Sequence, residues 1–502
     1  MATFRIAATY AVFAETIDEP GHMACGMELL AKHVYRFESQ HPPLARVFGA
    51  LGPFFAGVRP VGLPNQNSEG AAEIRSNGNA DRNLTLMRIG ILPFFWLACF
   101  VVFVWARDTL GDAAAAISVG IFTLIPTVLA HAGLATTDMA LTACLSAAFL
   151  ALIRWAERPD RRRSVTLGIA TGLAVLSKFT TLGFFPLATI AALVWWYLRV
   201  RPSVLELFKI IRLRAASFAL AVAIGAITIW AGYLFSFGPV PGWDVSLPAP
   251  ELFDGIRSAF AHNSEGHNAY LLGEHSNTGW WYFFPVALAV KTPIALLVLA
   301  LIGIYACLRD ARPAYIPLAF SGAILFAGMT SHVNIGLRHI LPIYVGISII
   351  AAAAILYLLR GPAWKPVIAA ACVLWLAATG VIHHPDYLAY FNEFVGSEPE
   401  NVMVDSDLDW GQDVKRLAAR LRELGVRDVN FIYYGPGDLH QWPGMPPMRA
   451  VVPLFPTRGW TVVSPTVWKA DAFGTGNRNA RFWPDVKPPT ERVGSLLLYY
   501  AQ

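Results

Sequence analysis

Apolar stretches of about 20 residues, the length that crosses about 30 Å of hydrocarbon, recur along most of this chain. They run through 84–104, 113–130, 139–156, 215–235, 283–308, 315–329, 340–359 and 366–382. The longer run 165–198 reads as a helical pair, broken near Ser177 to Pro186 where Lys178, two threonines and Gly183 interrupt the apolar pattern. Ala2 to Thr16, short for a span and carrying Arg5, lacks the basic leader of a secretory signal and reads as a first helix. The expectation is an α-helical polytopic membrane protein with about 11 transmembrane helices, and a composition 55% hydrophobic and only 15% charged agrees.

Short cytoplasmic loops collect Lys and Arg. Arg107, then Arg158 to Arg163, Arg199 to Arg214, Arg309 with Arg312, and Arg360 with Lys365 all occupy alternate loops. This parity puts the N-terminus in the cytoplasm. It puts the loop 18–83, the turn at Asp138, the loop 236–281 and everything after His383 on the outer side of the cell membrane, inner or plasma. The formal charge of +5 thereby reflects topology and excludes a reading as a nucleic-acid binder. Five cysteines, four of them in apolar spans, imply no disulfide framework.

Composition turns polar, aromatic and proline-rich after His383, so residues 1–383 read as the membrane module and 384–502 as a small extramembrane α/β domain. Asp409 with Gln412 has the spacing of a capping box, followed by an apolar helix face from Val414 to Leu424 that stops at Gly425. Val429, Phe431 and Tyr433 alternate as a strand does, and Val493 to Tyr500 is a second strand. The segment from Gly435 to Pro489 has no readable pattern.

Ionisable residues at a membrane surface mark function by default. Asp18 is the candidate base, with Glu19 beside it and Asp138 on the next outer turn, each weighed against a role as a helix cap. A phosphate leaving group needs positive charge where its negative charge develops, and Arg46, Lys178, Lys291, Arg338 and His339 are the candidates on that side. Lys291 interrupts an apolar span just before Pro293, a costly position, while Arg338 has a snorkelling alternative and Arg88 reads as a buried helix-pairing contact. His22, His41, His267 and Glu274 complete the outer-loop set. The histidines and acids of 262–275 have no diagnostic ligand spacing, so no cofactor is assigned and a divalent metal is the lesser alternative. Asp405, Asp407 and Asp409 lack the glycine and glutamate of a calcium loop and read as caps and turns.

These residues resemble the GT-C membrane glycosyltransferases of the protein O-mannosyltransferase type, above all their bacterial relatives that use phospholipid-carried sugars. The likeness rests on the acid pair Asp18 and Glu19 after the first helix, the run His41, Pro42, Pro43, Leu44 followed by Arg46, the acid Asp138, the aromatic and Lys-Thr-Pro stretch from Gly279 to Pro293, the Arg338, His339 pair and the acidic run from Asp405 to Asp413. It implies inverting transfer of a mannose-like or related sugar from a polyprenyl-phosphate donor to a hydroxyl of a protein, lipid or glycan on the outer face. Asp18 is then the base, and Lys291, Arg338 and Arg46 or Lys178 hold the phosphate. Mannosyltransferases commonly have Lys at the position of Arg46, and the aminoarabinose transferases of lipid A have Lys at that of His41. The competing readings are a transporter or flippase of a lipid-linked or small-molecule substrate, and an inactive scaffold.

Overall fold

The computed structural model describes residues 1–310, 314–435, 442, 444–451, 457–470 and 483–502. Helices dominate, since a chain crossing hydrocarbon must satisfy its backbone internally. Five are long and apolar enough to span a membrane: Ala80–Leu110, Asp138–Glu157, Thr181–Val200, Val204–Gly232 and Trp364–Ile382. Two more pairs qualify when taken together, Asp112–Phe122 with Pro126–Ala132, bent by 72°, and Phe283–Lys291 with Ile294–Arg309, bent by 114°. A proline sits at each bend, Pro126 and Pro293, where it removes a backbone donor. Length and composition thus mark five to seven spans among the described residues. The expected count of about eleven also took in Ala2–Ala8, Arg161–Ser177, Tyr315–Gly328 and Ile343–Leu359, which are shorter or more polar.

The helix Asp138–Glu157 is 72% buried along its apolar stretch, whereas Val204–Gly232 is 6% buried and lies at the margin. Asp138 therefore begins an inner helix. The expected break in 165–198 falls at Lys178 to Thr180, and Pro186 is carried inside the helix Thr181–Val200. The loop after Asp18 folds into the helices Glu19–Lys32, Pro43–Phe55 and Gln66–Arg75. The first two approach so closely at Gly26 that a Cβ there would lie 2.1 Å from the Arg46 carbonyl oxygen. That approach sets Arg46 beside His22.

Beyond His383 the helix Val414–Glu423 packs Val414, Leu417 and Leu421 on a five-stranded sheet through Val429, Val462 and Leu498. Its strands run in the order Met448–Ala450, Val429–Ile432, Gly459–Val463, Leu496–Ala501, Glu491–Val493, the first three parallel and the last two added antiparallel. Two of these strands come from the region that had no readable sequence pattern. Asp409 and Gln412 form no capping box. The helix is preceded by Asp413 without a side-chain cap, Asp409 accepts from Ser464 and Ser495, and Gln412 Oε1 accepts from the Trp410 amide at 2.8 Å. The stretch leading into this region is part of the bundle core, with Tyr387, Leu388, Met403 and Trp410 buried there.

Candidate active site

A cavity of about 310 Å³ opens where the helix Glu19–Lys32, the turn before Ile343–Leu359 and the post-383 segment meet. Asp18, His22, His41, Arg46, His267 and Arg338 line it, joined by Glu38, Asp405, Trp410 and Tyr434. Six of the twelve residues singled out from sequence thus converge on one space.

Asp18 is 31% exposed and accepts from Arg338 Nη1 at 2.8 Å. Its side chain makes no cap bond to the helix that follows, so the cap role is not what its contacts support. Arg338 is almost fully buried, donates from Nε to Ser406 Oγ at 3.0 Å, approaches Asp138 at 3.6 Å and lies 4.2 Å over the Trp410 ring. Burial works against the guanidinium charge, but Asp18, Asp138 and Asp405 around it raise its pKa further. Asp138 also makes no cap bond. Its carboxylate accepts from Lys178 Nζ at 2.6 Å and from Thr136 at 3.1 Å, a pair that lies behind Arg338 rather than on the cavity wall.

Arg46 donates from Nε to His22 Nδ1 at 3.0 Å and from Nη1 to the Tyr35 hydroxyl at 2.7 Å, and its Nη2 pairs with the Glu38 carboxylate. Burial and the neighbouring Arg46 hold His22 well below the usual imidazole range. A neutral ring that accepts at Nδ1 carries its proton at Nε2, so His22 offers a donor. Burial pushes the Glu38 carboxyl up, yet Arg46 and His41 override it and keep Glu38 ionised far below its ordinary value.

Four more expected residues lie elsewhere for physical reasons. Glu19 is fully buried and its two oxygens are saturated by Arg88, at 2.8 Å from both Nε and Nη2, by the Ala135 amide at 2.9 Å and by the Thr16 amide at 2.8 Å. Lys291 is equally buried, but its ammonium donates to the carbonyls of Leu388 at 2.7 Å and Asp407 at 2.5 Å. Its contacts support anchoring of the post-383 segment. Glu274 is exposed on the hairpin Ala269–Leu271 with Glu274–Ser276. His339 is part-buried and off the cavity lining, its Nε2 without a hydrogen-bond partner.

Sequence reasoning took Asp405 for a cap or turn and passed over Glu38, Trp410 and Tyr434. Asp405 adopts a left-handed backbone, φ 61°, and accepts from the Tyr434 hydroxyl at 3.2 Å and the Ser406 amide at 2.5 Å. Burial pushes its carboxyl up to about 6. The acidic run was the available signal, but its spacing alone favours turns. Among the described residues no three His, Cys, Asp or Glu side chains are grouped to hold a metal ion.

Residues 31–236 match the dolichyl-phosphate-mannose-protein mannosyltransferase family. The fold is similar to that of ArnT from Cupriavidus metallidurans in the apo state, with a TM-score of 0.54 at 14% identity over 99% of this chain and 96% of that one. The same protein bound to undecaprenyl phosphate gives 0.52 at 16% identity, over 77% and 69%. The chain has the GT-C membrane fold. No curated protein matches this chain at the sequence level. The family match takes in His41, Arg46, Asp138 and Lys178 and stops before Arg338, so the Asp18 to Arg338 pairing rests on the geometry of this chain.

Proposed function

We propose that this multi-pass protein transfers a sugar from a polyprenyl-phosphate donor to an acceptor hydroxyl, with inversion, on the outer side of the cell membrane. The observation that carries the reading is a part-exposed carboxylate, Asp18, held 2.8 Å from a buried guanidinium in a cavity of about 310 Å³. The family match and the lipid carrier bound to ArnT support a donor of this type.

In this mechanism Asp18 takes the proton of the acceptor hydroxyl as its oxygen attacks the anomeric carbon. The bond from that carbon to the phosphate oxygen breaks, and polyprenyl phosphate leaves with the electron pair. Arg338, supported by Arg46 and the His22 Nε2 proton, offsets the charge that develops on the leaving phosphate. Residues 1–383 supply the membrane module. The outer domain 384–502 closes the cavity with Asp405, Trp410 and Tyr434, and the basic loops face the cytoplasm by the positive-inside rule.

The test is release of free polyprenyl phosphate by the purified protein with a panel of lipid-linked sugars and protein, lipid and glycan acceptors. Release with one donor, lost in Asp18→Asn, is expected, and the acceptor that makes it turn over identifies the hydroxyl. Absence of release with every donor, in folded protein that binds lipid, overturns the reading.

A further inference from the structure

At the end of the bundle away from the active site, the helix Ile343–Leu359 ends at Arg360 and Trp364–Ile382 begins. Arg338 precedes the first of these helices, so its 17 residues set the two ends about 25 Å apart. A cavity of about 200 Å³ lies there, walled by Leu110, Ala353 and Leu356 and rimmed by Tyr357, Arg360 and Lys365. Neither cation pairs with a carboxylate among the described residues. Lys365 Nζ lies 3.4 Å from the Tyr357 hydroxyl and 4.6 Å above its ring, while Arg360 makes no ion pair or side-chain hydrogen bond there. Arg309 stands nearby, donating to the Tyr305 hydroxyl at 3.1 Å, with the Tyr305 and Tyr357 rings edge to face at 6.2 Å.

We propose that this cavity binds the phosphate headgroup of an anionic phospholipid. Two cations held on an apolar hollow recognise a group that is anionic at one end and apolar at the other. The first backbone amides of the helix Trp364–Ile382 add partial positive charge on the same side. Tyr305, Leu308, Leu359 and Trp364, each next in sequence to a lining residue, are all exposed, which gives an acyl chain an apolar surface to follow and favours a lipid over a soluble phosphate. Basic pockets between membrane helices bind anionic headgroups by the same physics.

The full chain is placed in nanodiscs of phosphatidylcholine containing phosphatidylglycerol, extracted into detergent, and the retained lipid is counted by native mass spectrometry. Retention of phosphatidylglycerol over phosphatidylcholine is expected, reduced about tenfold or more in R360Q/K365Q. R212Q, a loss of charge on the exposed part of Val204–Gly232, should leave retention unchanged. Should the double variant fail to fold, Gly361→Val provides the second arm, because a Cβ there falls 2.3 Å from Lys365 Cδ and displaces that stem. Equal retention by wild type and the variants, no preference for phosphatidylglycerol, or an equal loss in R212Q overturns the proposal. Thermal stabilisation by inorganic phosphate alone, as large as that by phosphatidylglycerol, overturns the lipid assignment in favour of a soluble anion.

Discussion

Adjacent acids with opposite roles make a sharp test, and Glu19→Gln separates them. The Glu19 carboxylate and the Arg88 guanidinium both have no exposed side-chain surface, and Arg88 contributes two of the donors that fill the Glu19 oxygens. Glutamine keeps the shape but turns one acceptor into an NH₂ group, so a donor faces a donor and Arg88 is left as an uncompensated buried charge. Removing one partner of such a pair costs about 3–5 kcal/mol, whereas replacing both by apolar groups of similar volume is close to neutral. Thermal unfolding in detergent should therefore show a large loss for Glu19→Gln and for Arg88→Met, and E19Q/R88M should recover most of it. The three variants and the wild type form a double-mutant cycle whose coupling term should be strongly favourable. A Glu19→Gln protein that melts like wild type yet has lost turnover would refute the argument and return Glu19 to the chemistry.

Asp18→Asn should behave in the opposite way, lowering polyprenyl phosphate release by roughly 10²–10⁴-fold, the range of a general base, with little change in melting because its partner pair is partly exposed. Lys291→Met leaves two carbonyls unsatisfied, about 1–3 kcal/mol each, and should speed proteolysis or hydrogen exchange around Leu388 and Asp407. Asp405 holds its proton up to about pH 6, so the KM for an anionic donor should rise between pH 5 and 7 as a third carboxylate charges beside Arg338, and Asp405→Asn should flatten that rise. Burial, with Asp413 nearby, pushes Asp409 up from 3.8 to about 7. A raised acid binds more protons folded than unfolded within that window, so its contribution to stability falls with rising pH by up to about 4 kcal/mol, and Asp409→Asn should gain on wild type between pH 5 and 8 in melting experiments.

What the sequence revealed follows a physical division. Hydrocarbon demands long apolar runs, so the helical class was legible, and polar residues at the ends of those runs stood out, which is how Asp18, Asp138, Lys178 and Arg338 were found. Neighbouring residues on a helix point about 100° apart, and no local pattern says which of Asp18 and Glu19 turns toward the cavity. Lys291 was visible as a costly cation, but its partners are the carbonyls of Leu388 and Asp407, 97 and 116 residues away. Trp410 and Tyr434 enter the cavity because the segment after His383 folds back onto the bundle, a tertiary event without local signature. Length and composition alone do not mark the short helices as spans, and Ala2–Ala8 has a distant partner, with Arg5 bonding Tyr387 at 2.9 Å.

The site holds its cations in an unexpected way, since each lysine and arginine proposed for the donor phosphate already has an internal partner. Lys178 is held by Asp138, both nearly inaccessible, and Lys291 by two carbonyls. Arg46 is held by Glu38, whose side chain is 18% exposed. Only the Arg338 to Asp18 pair has a partner exposed to nearly a third. An ion pair with that much solvent access contributes about 0–1 kcal/mol, against several for breaking a fully buried one, so among these four Arg338 is the cation a phosphate can recruit at least cost. The exchange has a chemical consequence. In the proposed mechanism, a phosphate that takes Arg338 releases the Asp18 carboxylate from its strongest partner at the moment an acceptor hydroxyl needs a base. Substituting Arg338 should therefore weaken donor binding and uncouple it from the basicity of Asp18, whereas substituting Lys178, sealed behind the wall, should act through the position of Asp138.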